Sequence, residues 1–205
     1  YSQIYRFKMQ ILEKMGRTDE SVDAALKYLE TDDDPPIVAI AQYAGKHYTY
    51  AVAKIKAEMN RQNAASSWIL LLTKLYENHH DFSKAIELYD KVESEYGANE
   101  TLCLYRARCY RDLGEYDKAL IDISKSIEMN PDEEFYLATR GEIYRYAGMY
   151  KEAIADCSAC IEKDPSTGYY YYARGWCYEL SGDDSKAMDD YNAGIDVDKT
   201  YPYLF

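Results

Sequence analysis

The stretch LGEYDKAL at residues 113–120 returns as AGMYKEAI at 147–154 and again as SGDDSKAM at 181–188. Each copy begins 34 residues after the one before it, and the register extends to both sides. Tyr110, Tyr144 and Tyr178 precede the glycines Gly114, Gly148 and Gly182, and Ala119, Ala153 and Ala187 follow them. Pro131 and Pro165 close the first two of these units, and Lys199 stands where the third proline falls. Further upstream, Tyr76, Phe82, Ala85 and Tyr89 keep the same phase, with His80 in place of the turn glycine. Tyr48, Ala51 and Ile55, and then Leu12, Gly16 and Ala25, continue the series more loosely. A fixed period of this length marks a small supersecondary unit that is stacked on copies of itself.

The unit reads as two helices joined by a turn. Apolar residues recur at three- and four-residue spacing in both halves, as in Ile143, Tyr144 and Ala147 or Ile154, Cys157 and Ile161. The glycine suits a left-handed backbone at the end of a helix. NPDEE and DPSTG end one unit and start the next, because proline stops a helix and Asp or Ser opens one. A single hairpin cannot bury its apolar face, whereas a stack of hairpins can. The expected fold class is therefore all-α.

This period, with its Tyr/Gly/Tyr/Ala/Pro punctuation, resembles the tetratricopeptide repeat family over essentially the whole chain. The resemblance implies a right-handed superhelical solenoid of antiparallel helix pairs, with the first helices lining a concave groove that binds segments of other proteins. One repeat domain over 1–205 is expected, with units at 2–31, 32–65, 66–99, 100–133, 134–167 and 168–201. TYPYLF (200–205) falls where earlier first helices begin, so a further unit is expected to start at 202–205 and the chain reads as a piece of a longer array. TDDDPPIVAIAQYAGKHY (31–48) departs from the pattern with two prolines and a short first helix. The stack is expected to bend, loosen or shift register there.

The totals narrow the function classes. The chain has 205 residues, 47% of them hydrophobic, enough for a substantial stack. Its 24 Lys and Arg against 36 Asp and Glu leave 24 − 36 = −12, and no basic run interrupts that acidity. Such a chain repels phosphate backbones, which argues against nucleic acid. No apolar run is long enough for membrane insertion. Five cysteines without a secreted small-domain pattern point to reduced thiols and a cytoplasmic setting. Because the chain opens on Tyr1, an export signal upstream stays open as an alternative.

Nothing in the sequence assembles catalytic chemistry. Cys157 and Cys160 spell C-x-x-C, but they occupy packing positions of a second helix and no partner pair completes a zinc site. Cys109 and Cys177 likewise stand where small residues pack. His79 and His80 share an interhelix turn, where adjacent histidines seldom converge on one metal. No nucleophile elbow, Walker loop or H-E-x-x-H motif occurs. The reading is non-catalytic, with no cofactor and no metal.

Arg106, Arg140 and Arg174 recur at the repeat interval, and so do Asp122, Asp156 and Asp190. Each arginine lies sixteen residues before its aspartate, symmetric about the turn glycine, which puts the two at one height in an antiparallel hairpin. Leu72 and Leu88 replace both members together in the third unit. Partly buried structural ion pairs are expected, rather than an anion site.

The candidate groove takes Lys74 from the third unit, Tyr105, Arg108 and Arg111 from the fourth, Arg145 and Tyr146 from the fifth, and Tyr169, Tyr172 and Trp176 from the sixth. Tyr, Trp and Arg are the types enriched at binding hot spots. Arg108, Arg111 and Arg145 would form a basic zone on an acidic molecule, suited to a protein or peptide segment with apolar side chains and some acidic groups. Of the four tyrosines at 169–172, Tyr171 is expected in the core and Tyr170 on a partly exposed flank. The aromatics packing on one another or on a further repeat is the competing reading. The chaperone-tail clamp of the family is not matched, since Tyr105, Arg108, Thr139, Tyr169 and Ala173 occupy the corresponding stretches. The alternative to groove binding is a structural spacer, or a module that self-associates through its stack ends, within a larger protein that carries other domains.

Overall fold

A computed structural model describes residues 2–31, 37–61 and 66–198. Lys199 and the further unit expected at 202–205 lie outside the described residues. Twelve α-helices and no strand occupy the described part. They are α1 (Ser2–Lys14), α2 (Thr18–Thr31), α3 (Ile37–Gly45), α4 (Tyr48–Arg61), α5 (Ser66–Asn78) and α6 (Phe82–Tyr96), followed by α7 (Glu100–Asp112), α8 (Tyr116–Met129), α9 (Glu134–Tyr146), α10 (Tyr150–Lys163), α11 (Gly168–Leu180) and α12 (Asp184–Val197). α3, in the proline-bearing stretch, has only nine residues. The fold class is an all-α solenoid of repeated helix pairs. The chain divides into two compact units, Tyr1–Lys91 and Val92–Phe205.

Within the second unit, α7 packs on α8, α9 on α10 and α11 on α12, and consecutive pairs meet through α8 with α9 and α10 with α11. Small residues permit these close approaches. Ala119, Ala153 and Ala187 are buried in the second helices. Opposite Ala187 stands Gly175, where an added Cβ would meet the Ala187 carbonyl oxygen at 3.2 Å and the Tyr191 ring at 2.8 Å. One core cluster joins Leu104, Ala107, Ala119, Ile123, Tyr136 and Ile143 across two repeats. Ser126 Oγ donates to the Glu100 carbonyl at 2.8 Å, and Cys160 Sγ, one period later, lies 3.5 Å from the Glu134 carbonyl.

The turns explain the Tyr–Gly spacing. The Glu115 amide donates to the Tyr110 carbonyl (2.9 Å) while the Gly114 amide donates to that of Arg111 (2.9 Å). This double closure satisfies carbonyls left open at the helix end and requires a left-handed residue, supplied by Gly114 at φ 77°. The same two bonds recur at Met149 and Gly148, and at Asp183 and Gly182. In the first unit His80 takes this place at φ 59°, with Asp81 bonded to Tyr76 at 2.9 Å.

The first unit contains α1 to α5 and most of α6. α1 packs on α2, α2 on α3, and α3 and α4 each on α5. Val22, Ala25, Ile40, Ala41, Ala44, Ile55, Leu71 and Leu75 are buried. Leu72, the apolar replacement for the repeated arginine, is buried as well.

Candidate functional site

The repeated arginines are held inside the second unit by their aspartates. Arg106 Nε and Nη2 donate to the two carboxylate oxygens of Asp122 at 2.6 and 2.9 Å. Arg140 does the same to Asp156 at 2.8 and 2.7 Å, and Arg174 to Asp190 at 2.8 and 2.7 Å. Arg106 adds a third contact, Nη1 to Glu93 Oε2 at 2.5 Å, and Arg174 Nη1 reaches Ser158 Oγ at 3.1 Å. Burial opposes the Arg106 charge, but the bonds to Asp122 and Glu93 outweigh it and push its pKa up. All three aspartates are buried. Each fork engages two guanidinium nitrogens with both oxygens of its carboxylate, the geometry of a structural ion pair.

The groove candidates separate. Arg145, Tyr169, Tyr172 and Trp176 line one cavity of about 300 Å³, together with Gly141, Glu142, Cys157, Ala173 and Cys177. α9 contributes the Gly141–Arg145 edge, α11 contributes the aromatic wall, and α10 contributes Cys157. The wall is ordered by tilted ring contacts: Tyr172 lies 5.7 Å from Trp176 and 6.2 Å from Tyr191, measured between ring centres. Tyr191 is fixed by a bond from its hydroxyl to Glu179 at 2.7 Å. Arg145 spans the rim, its guanidinium carbon 3.8 Å from the Trp176 ring centre and 4.4 Å from that of Tyr146. Arg111 lies 5.4 Å from the other candidate contact of Tyr146, the same ring's centre.

Three expectations are corrected here. First, the basic zone is largely neutralised. Arg111 Nη1 donates to Glu142 at 2.7 Å and Nε to Asp112 at 2.7 Å, and Arg145 lies 4.0 Å from Glu142. Burial works against the Arg111 charge, yet Glu142 and Asp112 push its pKa up. Arg108 alone of the three stands exposed with no ion pair among the described residues.

Second, Tyr170 and Tyr171 exchange places. Tyr170 is buried against Ala138 and Cys160, and its ring meets Tyr169 edge-on at 5.9 Å. Tyr171 is half-buried, with its hydroxyl donating to the Pro165 carbonyl at 3.2 Å. Tyr170 shares its register with the buried Tyr136 and Leu102, which was the signal available in the sequence.

Third, Lys74, Tyr105, Arg108, Arg111 and Tyr146 do not line the cavity. Lys74 belongs to the first unit and pairs with Glu77 at 2.7 Å. Tyr105 is half-buried on α7. Conversely, sequence reasoning assigned Cys157 and Cys177 to packing alone, whereas both border the cavity.

Two tetratricopeptide repeat models match this chain, over residues 101–133 and 139–202. No curated protein sequence matches it. Solved structures share the fold. A tetratricopeptide repeat protein from Parabacteroides merdae aligns with 98% of this chain and 82% of its own, at a TM-score of 0.71 and 15% identity. YrrB, a tetratricopeptide repeat protein described as having an unusual peptide-binding site, aligns over 89% and 96% at a TM-score of 0.62 and 19% identity. TTC0263 from Thermus thermophilus aligns over 82% and 93% at 0.62 and 15%.

Proposed function

We propose that this tetratricopeptide-repeat protein, a protein–protein interaction scaffold by its fold, holds a segment of a partner protein against the α9–α11 wall. One apolar side chain of that segment enters the cavity. The observation that carries the reading is the cavity itself: about 300 Å³, walled by Tyr169, Tyr172 and Trp176 and rimmed by Arg145. Ligand pockets run from about 300 to 1,000 Å³ and combine apolar walls with a few polar groups, so this one suits a side chain rather than a large cofactor. Aromatic residues already held by contacts with other rings lose little freedom on binding. An acidic group on the segment is accommodated by Arg108, which is exposed and whose charge is unspent. The likeness to YrrB supports a peptide-binding role by analogy. Free cysteines suit a reducing compartment such as the cytoplasm.

An array of twelve-residue peptides with varied apolar and acidic positions tests this. Hits are then titrated by intrinsic fluorescence. Trp176→Ala with Tyr172→Ala is expected to weaken the hits at least about tenfold, equivalent to about 1.4 kcal/mol. Arg108→Ala is expected to weaken only acidic ones. Hits that bind the Trp176/Tyr172 double variant unchanged would remove the cavity from the account.

A second reading, self-association through a stack end, is favoured by one observation. Ile4, Phe7 and Ile11 on α1, with Met15 just past its end, form a stripe that is 57–65% exposed. Exposed apolar stripes of this kind serve association more than solvation. A sedimentation mass that rises with concentration, and stays monomeric in Phe7→Glu/Ile11→Glu, supports it; a constant mass rejects it.

A further inference from the structure

All five cysteines are buried, but they are not equivalent. Cys103, Cys109 and Cys160 do not border the cavity, whereas Cys157 and Cys177 do. These two stand on adjacent packed helices, α10 and α11, with Cys157 Sγ 3.4 Å from the position a Cβ on Gly141 would take, also in the cavity wall. We propose that Cys157 and Cys177 form an oxidisable dithiol site opening on the cavity, which a hydroperoxide converts to a disulfide tying α10 to α11.

Three features give the pair chemistry that buried cysteines ordinarily lack. Both residues border the cavity while only 3% and 1% exposed, so a small oxidant reaches the sulfurs only through it. The interaction between the two sulfurs pushes the Cys157 thiol up and the Cys177 thiol down, so the first proton leaves most readily from Cys177. The Arg145 guanidinium at the rim adds positive charge that favours the Cys177 thiolate. By contrast, burial pushes the Cys103 thiol up, and that of Cys160 up to about 12. Thiolate character and access decide which cysteines react.

The step balances with one hydroperoxide. The Cys177 thiolate attacks the distal oxygen of hydrogen peroxide, forming an S–O bond and breaking O–O, and the departing hydroxide takes a proton to become water. The Cys157 sulfur then displaces hydroxide from the Cys177 sulfenic acid, its own proton leaving with that hydroxide as a second water. Two thiols and one peroxide give one disulfide and two waters. The peroxide is reduced, the sulfurs are oxidised, and a thiol reductant reverses the bridge by exchange.

The test uses the free protein, so its outcome is independent of what the cavity binds. The chain is treated with hydrogen peroxide under native conditions, alkylated and cut with trypsin without reduction. The expected result is a linked pair of peptides, 152–163 with 175–186, two hydrogens lighter than their sum, with Cys103 and Cys109 still alkylated. Because Cys160 shares the first peptide, Cys160→Ser is expected to keep the link, while Cys157→Ser and Cys177→Ser abolish it. Should a serine variant misfold by circular dichroism, the wild-type map still decides. Recovery of both wild-type peptides unlinked, or a link that runs through Cys160, overturns the proposal.

Discussion

The Arg145 guanidinium carbon lies 3.8 Å from the Trp176 ring centre and joins consecutive repeats across the cavity rim. It also faces Tyr146 at 4.4 Å, so one cation serves two aromatic faces. Such contacts contribute roughly 0.5–2 kcal/mol each, and more for Arg than for Lys, whose ammonium cannot stack. Arg145→Lys is therefore expected to lower stability by about 1 kcal/mol, measured by urea denaturation, and to alter Trp176 emission in the folded protein. Unchanged emission and midpoint would show that the stack contributes nothing.

The Arg–Asp forks predict an asymmetry between single and double substitution. Arg106→Ala leaves Asp122 buried without its partner and is expected to cost about 3–5 kcal/mol. Arg106→Leu with Asp122→Leu, mirroring Leu72 and Leu88, is expected to cost far less. Helix content followed through denaturation separates the two cases. Equal losses would mean that the Leu/Leu repeat relies on different packing around it.

Glu93 makes stability depend on acid. Its hydrogen bond from Arg106 holds the carboxyl below the ordinary value of 4.5, against the opposing effect of burial. A depressed folded pKa means that the contribution is complete above the unfolded value and fades as pH falls through the folded one. Glu93→Gln is thus expected to cost most at neutral pH, with the difference from wild type closing below about pH 4.5. Thermal midpoints from pH 7 to 3 check this, and a constant difference contradicts it.

Two backbone positions respond to substitution in opposite directions. At Gly175 a Cβ would stand 2.8 Å from Tyr191 Cε1, so Gly175→Ala is expected to destabilise by about 1–3 kcal/mol through overpacking. Because Tyr191 supports Tyr172, the same variant is expected to loosen the cavity wall, visible as altered near-ultraviolet dichroism. His80 instead holds a left-handed backbone that costs a side-chain-bearing residue on the order of 1 kcal/mol. His80→Gly removes that cost and is expected to raise the denaturation midpoint, though by less than the full amount because the unfolded chain gains freedom.

Much of this was legible in the sequence because repetition averages out local ambiguity. The helix pairs follow from the spacing of Tyr110, Gly114 and Ala119 and its recurrence, since a left-handed cap, a tyrosine one turn before it and a small contact residue after it are backbone requirements. The Arg–Asp partnership was legible for a similar reason: symmetry about a turn, and joint replacement by Leu72 and Leu88, are properties of a hairpin alone. The Tyr170 and Tyr171 exchange shows where this reading stops. Adjacent helical residues point about 100° apart, so an error of one position in the assumed face moves a ring from flank to core.

The one-dimensional pattern determined the repeating helix pair, its caps and its internal ion pairs, because all of these arise within some forty consecutive residues. Only the tertiary structure decided which side chains share the cavity. Arg145, Cys157 and Trp176 meet through packing between hairpins, and whether Arg145 is a free charge depends on Glu142 and an aromatic ring from the next repeat. Charge balance and thiol pairing at that seam are set by distances between helices, which spacing along the chain does not encode.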